Sequence, residues 1–157
     1  MSPTPPADPA SLPASHPATD LAALQALLHE VVAPWVRELE LRVLEARAGE
    51  VVLALPITPR HVHGGGVLCG QTMMAAADTA MILAICSPDG AFRPMTTVQL
   101  QTSFLRPIAG STSAPAGEAR VVAKVLRRGK SLVFGEIELL DASGRLAAHA
   151  TTTYALL

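Results

Sequence analysis

The residues best suited to chemistry lie in one stretch of the chain, which reads HVHGGGVLCGQTMMAAADTAMILAIC from His61 to Cys86. Its only Asp, Glu, Lys or Arg is Asp78, which stands among Met, Ala and Ile residues. A buried carboxylate loses its hydration, so it must find partners or take up a proton. Asp78 is therefore a candidate catalytic group. The equally weighted alternative is a structural residue satisfied by hydroxyls such as those of Thr79 or Thr97.

A glycine-rich approach precedes the apolar run that contains this carboxylate. The first N–H groups of a helix are unpaired and favour negative charge, so such a site can hold a phosphate or the oxyanion of a carbonyl under attack. The plain alternative for Gly64–Gly66 is a tight turn. The stretch lacks both the Lys-Ser/Thr ending of a P-loop and the GxGxxG spacing, which disfavours a nucleotide phosphate.

Helix geometry separates the two candidate groups. Gly70 and Asp78 should lie roughly 12 Å apart along one helix axis, and one acyl carbonyl cannot touch both. If they serve the same reaction, two copies of the helix must pass each other at a twofold axis. We therefore expect an obligate dimer with paired sites at its interface.

The same residues allow two other kinds of site. Cys69 at a helix N-terminus could pair with His61 or His63 as a nucleophile, and these three residues with Asp78 could formally bind zinc. The spacing favours neither, because the His-x-His stretch has no second closely spaced pair of ligands. We expect no metal and no cofactor.

The elements that must position these residues follow from the hydrophobic periodicity. A helix is predicted to begin after Thr19 or Asp20 and to end by Pro34, and a long apolar helix is predicted over Gln71–Cys86. Alternating residues predict two strands between the helices and four strands after them. The first of these six strands is expected where Glu38, Glu40 and Arg42 alternate with Leu39, Leu41 and Val43. The fold class is therefore α+β, with an antiparallel sheet curled about the long helix.

Composition limits the protein class and its partners. The chain has 157 residues, enough for one domain, and its net charge of −1 gives no general case for nucleic acid or an anionic membrane. Residues 1–19 are rich in Pro and Ala and are predicted to be a mobile tail, with the folded domain over 20–157. Two cysteines make no disulfide framework, and no secretory signal or membrane-spanning run is present, so a cytoplasmic location is expected.

Three segments together resemble a known family. They are GGGVLCGQTMMAAADTAM, MTTVQLQTSFLRP and GRLAAHATTTY, and they are similar to the hotdog-fold acyl-CoA thioesterases of the phenylacetate-type (PaaI-like) family. The resemblance covers about Leu39–Leu157. It implies a curved antiparallel sheet wrapped around one long buried helix, here with an additional N-terminal helix, assembled as a homodimer and further as a homotetramer. It also implies acyl-CoA as the substrate.

The resemblance implies a role for each matching position. Asp78 corresponds to the family's general base or nucleophile, and Gly70 to the glycine whose N–H binds the thioester carbonyl. His63 falls where Asn or His orients water or the carbonyl, and Thr97 falls beside the catalytic carboxylate. Two further reactions stay open as alternatives: binding of acyl-CoA without catalysis, and enoyl-thioester hydration or dehydration with His63 as the partner of Asp78.

Substrate-binding positions are expected in two places. Gly66, Cys69 and Gln71 lie on the approach to the long helix, where many family members have His and a second Gly in place of Cys69 and Gln71. Arg128 and Lys130 lie in the turn LRRGKS, which is either a solvated hairpin or a site for the phosphates of coenzyme A. Arg106 is a weaker candidate for the same role.

Overall fold

The computed structural model describes residues 19–157, in which three α-helices and six strands are present. In chain order they are α1 (Leu21–Val31), α2 (Pro34–Arg37), β1 (Arg42–Arg47), β2 (Glu50–Pro56), α3 (Gly70–Cys86), β3 (Met95–Phe104), β4 (Glu118–Arg128), β5 (Leu132–Leu140) and β6 (Leu146–Leu156). The strands form one antiparallel sheet in the spatial order β1-β2-β4-β5-β6-β3. The predicted order of a helix, two strands, a long helix and four strands is confirmed, with α2 as one extra turn.

Helix α3 lies against one face of the sheet because small and apolar residues cover most of its surface. Ala76, Ala80 and Ala84 are fully buried there, which lets the helix backbone approach the strands closely. Gly135 on β5 extends this fit, since a Cβ built on it would lie 2.3 Å from the Cε atom of Met81. The space that this glycine leaves is filled by the side chain of Met81.

One side of α3 is not covered by the sheet. The incompletely buried residues recur at helical spacing and form what we call the open stripe: Gln71, Met74, Ala75, Asp78 and Ile82. The predicted burial of the helix therefore holds for its other faces only. The open stripe is as apolar as a core surface except at its two polar members.

The two edges of the sheet differ in charge. Strand β1 carries three charged residues, Arg42, Glu45 and Arg47, whereas β3 (MTTVQLQTSF) carries none. Charged residues on an edge strand discourage further pairing. Strand β3 also contains a bulge, where the register shifts between Thr97 and Gln99. The edge at β3 is thus long and uncharged.

The N-terminal helix forms as predicted. Asp20 is its N-cap, and its carboxylate accepts hydrogen bonds from the N–H groups of Ala22 and Ala23. Leu24 and Leu28 on its inner face are buried in the core. This helix thus contributes to the same hydrophobic core as α3.

The predicted strand over Glu38–Val43 is wrong in its first part. Strand β1 begins only at Arg42, and the segment before it is irregular, with Glu40 at a φ of 53°. Leu39 and Leu41 are nevertheless buried. The alternation in the sequence therefore reflects burial of these leucines by a bent segment after α2, and not pairing in the sheet.

The predicted tail, residues 1–19, lies outside the described residues apart from Thr19. Within residues 19–157, no helix combines the length and the apolar character needed to cross a membrane.

Candidate active site

The carboxylate of Asp78 lies in the open stripe and is held from the sheet. Its Oδ1 accepts a hydrogen bond of 2.9 Å from the hydroxyl of Thr97 and a second hydrogen bond from the hydroxyl of Tyr154. Thr97 and Tyr154 are opposite each other in the β3–β6 ladder, so both side chains leave the sheet on the same face. The structure thus brings together Asp78 and Thr97, two of the residues predicted from the sequence.

Tyr154 is a member of this cluster that sequence reasoning missed. It is the single tyrosine of the chain, and its side chain is only 1% exposed. Burial raises the pKa of Tyr154, and the negative charge of Asp78 raises that pKa further. The sequence does contain a signal for Tyr154. On β6, the alternate residues that face the core are alanines except for Thr152 and Tyr154, and a buried hydroxyl needs a hydrogen-bond partner.

The N-terminus of α3 is the second half of the candidate site. The helix begins at Gly70, and as the first helical residue Gly70 has no intrahelical acceptor for its N–H. The preceding N–H, of Cys69, donates to the His61 carbonyl at 2.8 Å. The ring of Phe104 lies against Gly70, because a Cβ on this glycine would be 3.0 Å from Cζ of Phe104.

A cavity of about 340 Å³ opens beside this helix start. It is lined mostly by apolar side chains and by Gly70: Val67, Leu68, Gly70, Met73, Phe104, Leu105, Arg106, Pro107 and Ile108. A carbonyl oxygen bound at the first turn of α3 would therefore have room for an attached apolar group next to it. Arg106, the weaker of the predicted cation candidates, is its only charged lining residue.

The glycine loop closes on itself and does not wrap around the helix start. The N–H of Gly66 donates to the His63 carbonyl at 2.9 Å, and Gly66 adopts a φ of 75° that favours glycine. The N–H of Gly65 donates to Nδ1 of His63 at 2.9 Å. Since Nδ1 is an acceptor, the neutral His63 ring carries its proton on Nε2 and offers an exposed N–H donor.

Within residues 19–157, Cys69 is not hydrogen-bonded through its sulfur to either nearby histidine. Its Sγ lies 2.9 Å from the hydroxyl of Thr72, and Nδ1 of His61 lies 3.1 Å from the carbonyl of Pro56. No group of three or more His, Cys, Asp and Glu side chains that could hold a metal ion occurs in the described part of the chain. The contacts here do not support a Cys-His nucleophile.

The predicted cation site lies at the other end of α3. Arg128 ends β4, and this part of the strand lies near the end of α3, because Gly49 accepts a hydrogen bond from the N–H of Val125 on β4 and donates one to Oγ of Ser87. Cys86 is the last residue of α3, so Arg128 and the neighbouring Lys130 stand near its C-terminus. Within one chain these cations are separated from Gly70 by the length of the helix, roughly 24 Å.

A single chain therefore contains two separated halves of the predicted site. Asp78 with Thr97 and Tyr154 forms one half, and the N–H of Gly70 with the adjacent cavity forms the other. The two lie on the same helix, roughly 12 Å apart. Gln71 lies in the open stripe between them, and the exposed His63 is held in its own loop.

The chain is similar to known proteins over most of this region. The family model of the thioesterase superfamily matches residues 61–148. A protein of Saccharolobus solfataricus named "Putative esterase" is 31% identical over 119 residues, which are 76% of this chain and 80% of that protein.

Solved structures share the fold. A conserved protein from Pseudomonas aeruginosa is 25% identical, has a TM-score of 0.70, and matches over 82% of this chain and 98% of its own. The E. coli PaaI protein from the phenylacetic acid degradation operon is 20% identical, has a TM-score of 0.73, and matches over 87% of this chain and 91% of its own. The predicted hotdog fold is thereby confirmed, and the family model confirms the resemblance to thioesterases.

Proposed function

The chain belongs to the thioesterase superfamily, and from this premise we propose that it hydrolyses acyl-CoA thioesters to a free acid and coenzyme A. The observation that carries this proposal is the carboxylate of Asp78, which is held by Thr97 and Tyr154 on an open stripe whose one other polar member is Gln71. Its own chain leaves the side chain of Asp78 only partly buried. This carboxylate faces outward.

The active unit that we propose is a dimer in which each site uses two chains. The open stripe and the uncharged edge of β3 lie on the same side of the molecule, because Asp78 on α3 bonds to Thr97 on β3. A second copy related by a twofold axis would cover both surfaces at once. If the partner's Asp78 meets Gly70, the residue midway between them, Met74, lies at the axis.

The proposed chemistry follows from bringing these two halves together. The N–H of Gly70 donates to the thioester carbonyl and stabilises the negative charge that develops on its oxygen. The partner's Asp78 removes a proton from a water that attacks the carbonyl carbon, or attacks that carbon itself. The C–S bond then breaks, and the thiolate of coenzyme A leaves and takes up a proton. His63, with its exposed N–H, orients the water or the carbonyl.

The proposed dimer also assigns positions to the predicted substrate-binding residues. With the two helices antiparallel about Met74, the C-terminus of the partner's α3 lies beyond Gly70, roughly 12 Å farther along the axis. The partner's Arg128 and Lys130 then lie where the phosphates of coenzyme A would extend. Gly66, Cys69 and Gln71 line the approach. Residues 20–157 serve as the single domain of each subunit, while the homotetramer and the cytoplasmic location stay predictions.

Two inactive variants test the proposal by complementation. Asp78→Asn should lower the rate of thiol release from acyl-CoA by about 1,000-fold. Gly70→Pro removes the N–H donor but suits the first position of a helix, and Cys69 already has the extended conformation, φ −72° and ψ 145°, that precedes proline. Gly70→Ala is the matched control, since it adds the same Cβ beside Phe104 and keeps the N–H.

Co-expression with two affinity tags would yield the heterodimer of Asp78→Asn and Gly70→Pro chains. If each site draws on both chains, one of the two sites is intact and about half of the wild-type rate returns. If both groups act within one chain, every site is broken and the heterodimer is inactive, which contradicts the proposal.

A panel of acyl-CoA chain lengths completes the test with the wild-type protein. Thiol release that depends on Asp78 supports the thioesterase. Saturable binding without turnover would indicate a non-catalytic acyl-CoA binding protein, and addition of water to an enoyl thioester would indicate a hydratase. Both of these outcomes contradict the proposed function.

A further inference from the structure

Tyr154 is placed in a way that packing alone does not require. It projects from β6 toward the middle of α3, and its hydroxyl lies 3.0 Å from the backbone carbonyl of Asp78 and within hydrogen-bond distance of Oδ1 of the same residue. A phenylalanine would fill the same volume. The hydroxyl is the feature that connects the core to the proposed catalytic group.

The two hydroxyls at Asp78 differ in how firmly they are held. Thr97 lies on the exposed edge strand, next to the bulge at Val98, whose side chain is 59% exposed. Tyr154 is in a central position, fully buried, with its ring fixed by the core. Thr97 can therefore exchange partners when a substrate or a second chain arrives, whereas the Tyr154 hydroxyl is confined to acceptors of Asp78, its carboxylate and its backbone carbonyl.

Both hydroxyls donate to the same oxygen. Oδ1 of Asp78 is the acceptor in each hydrogen bond, and the described residues give Oδ2 no hydrogen bond. The carboxylate is thus held by one oxygen while its other oxygen is left for the reaction. Because burial and the adjacent negative charge raise the pKa of Tyr154, the phenol stays protonated and remains a donor at neutral pH.

Resting on the function proposed above, we infer that Tyr154 is a positioning residue for catalysis: it fixes Asp78 by Oδ1 and directs Oδ2 toward the thioester. A hydrogen bond from a neutral donor to a carboxylate is charge-assisted and therefore strong. Fixing one oxygen also removes rotation of the carboxylate, which lowers the entropy lost on reaching the transition state.

The decisive variant is Tyr154→Phe, and the chain provides a matched control on the same strand. Thr152 is also buried and inward-facing, and its hydroxyl donates to the backbone carbonyl of Gln99 at 2.7 Å without touching Asp78. Thr152→Val therefore removes a buried hydroxyl two positions away. Both variants lose one buried hydrogen bond, but only Tyr154→Phe changes the environment of the carboxylate.

Tyr154→Phe should lower kcat by about 10- to 100-fold with little change in KM, because the lost interaction matters most in the transition state. Thr152→Val should leave kcat as in the wild type. A Tyr154→Phe enzyme with the kinetics of Thr152→Val overturns the inference.

A spectroscopic measurement keeps the inference testable if Tyr154→Phe folds poorly. Because the chain has one tyrosine, 3-fluorotyrosine incorporation labels this position alone. Asp78→Asn should shift the fluorine NMR resonance of the labelled protein, and Thr152→Val should not. An unchanged resonance in Asp78→Asn contradicts the contact.

The two proposals fail in different ways. If the wild-type protein releases no thiol from any acyl-CoA, the proposed function is wrong. If Asp78→Asn still releases thiol at the wild-type rate, Asp78 is not the catalytic group and Tyr154 positions none. If Asp78→Asn is inactive but Tyr154→Phe is unimpaired, the thioesterase stands and only the role of Tyr154 is overturned.

Discussion

The two sides of helix α3 both carry large apolar side chains but have opposite surroundings. On the closed side, Met81 and Leu83 are fully buried, and Gly135 of the sheet makes room for Met81. On the open stripe, Met74 and Ile82 are just as apolar, yet the chain leaves them partly exposed. An apolar composition predicts that a helix is buried. It does not predict whether the covering residues belong to the same chain or to a second chain.

The closed side of α3 mainly stabilises the fold, whereas the open side carries the proposed catalytic group. Each large apolar side chain on the closed side contributes about 1.5–3 kcal/mol by leaving water. The apolar residues of the open stripe contribute little of this within one chain, so the corresponding free energy is available for association. Asp78 is the one charged residue on α3, and it stands on the open side.

The largest effect is expected from Met74→Lys on the open stripe. Met74 is 37% exposed and lies at the proposed twofold axis, where two lysines would repel each other and stay hydrated. Light scattering should show a monomer that retains its circular dichroism, and thiol release should fall by about 100-fold or more because every proposed site needs two chains.

Leu157→Lys is a suitable control for this change. Leu157 is 81% exposed and lies outside α3, so the variant should keep the assembly and activity of the wild type. A Met74→Lys protein that remains a fully active dimer would mean that the open stripe is not the interface.

On the closed side, Gly135→Ala should reduce stability without changing the assembly. The added Cβ would lie 2.3 Å from Cε of Met81 and 3.0 Å from the backbone carbonyl oxygen of Lys124, so the core must shift. Overpacking of this kind costs about 1–3 kcal/mol in the free energy of unfolding. Denaturant unfolding measures the loss.

Adding Met81→Ala tests whether the clash is the cause. Alone, this truncation of a fully buried side chain should cost about 2–5 kcal/mol. Combined with Gly135→Ala it should cost less than the sum, because the Cβ then occupies part of the vacated space. Additive losses would show that the two residues do not share this contact.

The smallest effect is expected from a substitution of Asp141, a carboxylate that lies outside α3. Asp141 begins the turn between β5 and β6, and the backbone N–H of Arg145, followed by the Arg145 side chain, lowers the pKa of Asp141 below its ordinary value of 3.8. Because the folded state favours the charged carboxylate, this stabilisation is present above pH 3.8 and is lost as the pH falls through the lower folded-state value.

Asp141→Asn should therefore flatten the acid-induced loss of stability below about pH 4 and leave thiol release unchanged. Thermal unfolding from pH 7 to pH 2, compared with wild type, measures the first effect. If Asp141→Asn lowered kcat as much as is expected for Tyr154→Phe, Asp141 would not be a purely structural carboxylate.

Much of the fold follows from the sequence because periodicity records burial. The start of α1 at Asp20, the course of α3 and the four final strands are recoverable in this way. The start of β1 is not, since Leu39 and Leu41 are buried by an irregular segment that mimics strand alternation. Two residues at positions i and i+2 can both face the core without belonging to a strand that is paired in a sheet.

The candidate site is recoverable only in part. Asp78 is visible as a lone charge, and Thr97 as a neighbouring hydroxyl, but Tyr154 lies far from both in sequence and meets them only through the β3–β6 register. The glycine run is compatible in sequence with either a ligand-binding loop or a tight turn, and in the structure the amides of Gly65 and Gly66 are used within the loop. Local spacing cannot show which donors a turn consumes.

The uncharged edge at β3 has a consequence for how this protein behaves before it is assembled. A newly made chain presents a row of unpaired backbone groups with no lysine, glutamate or proline to deter unwanted sheet growth. At high concentration, chains that dimerise slowly would therefore aggregate through the β3 edge, which is part of the proposed dimer interface. Solubility during synthesis and catalytic competence would then depend on the same encounter between two chains.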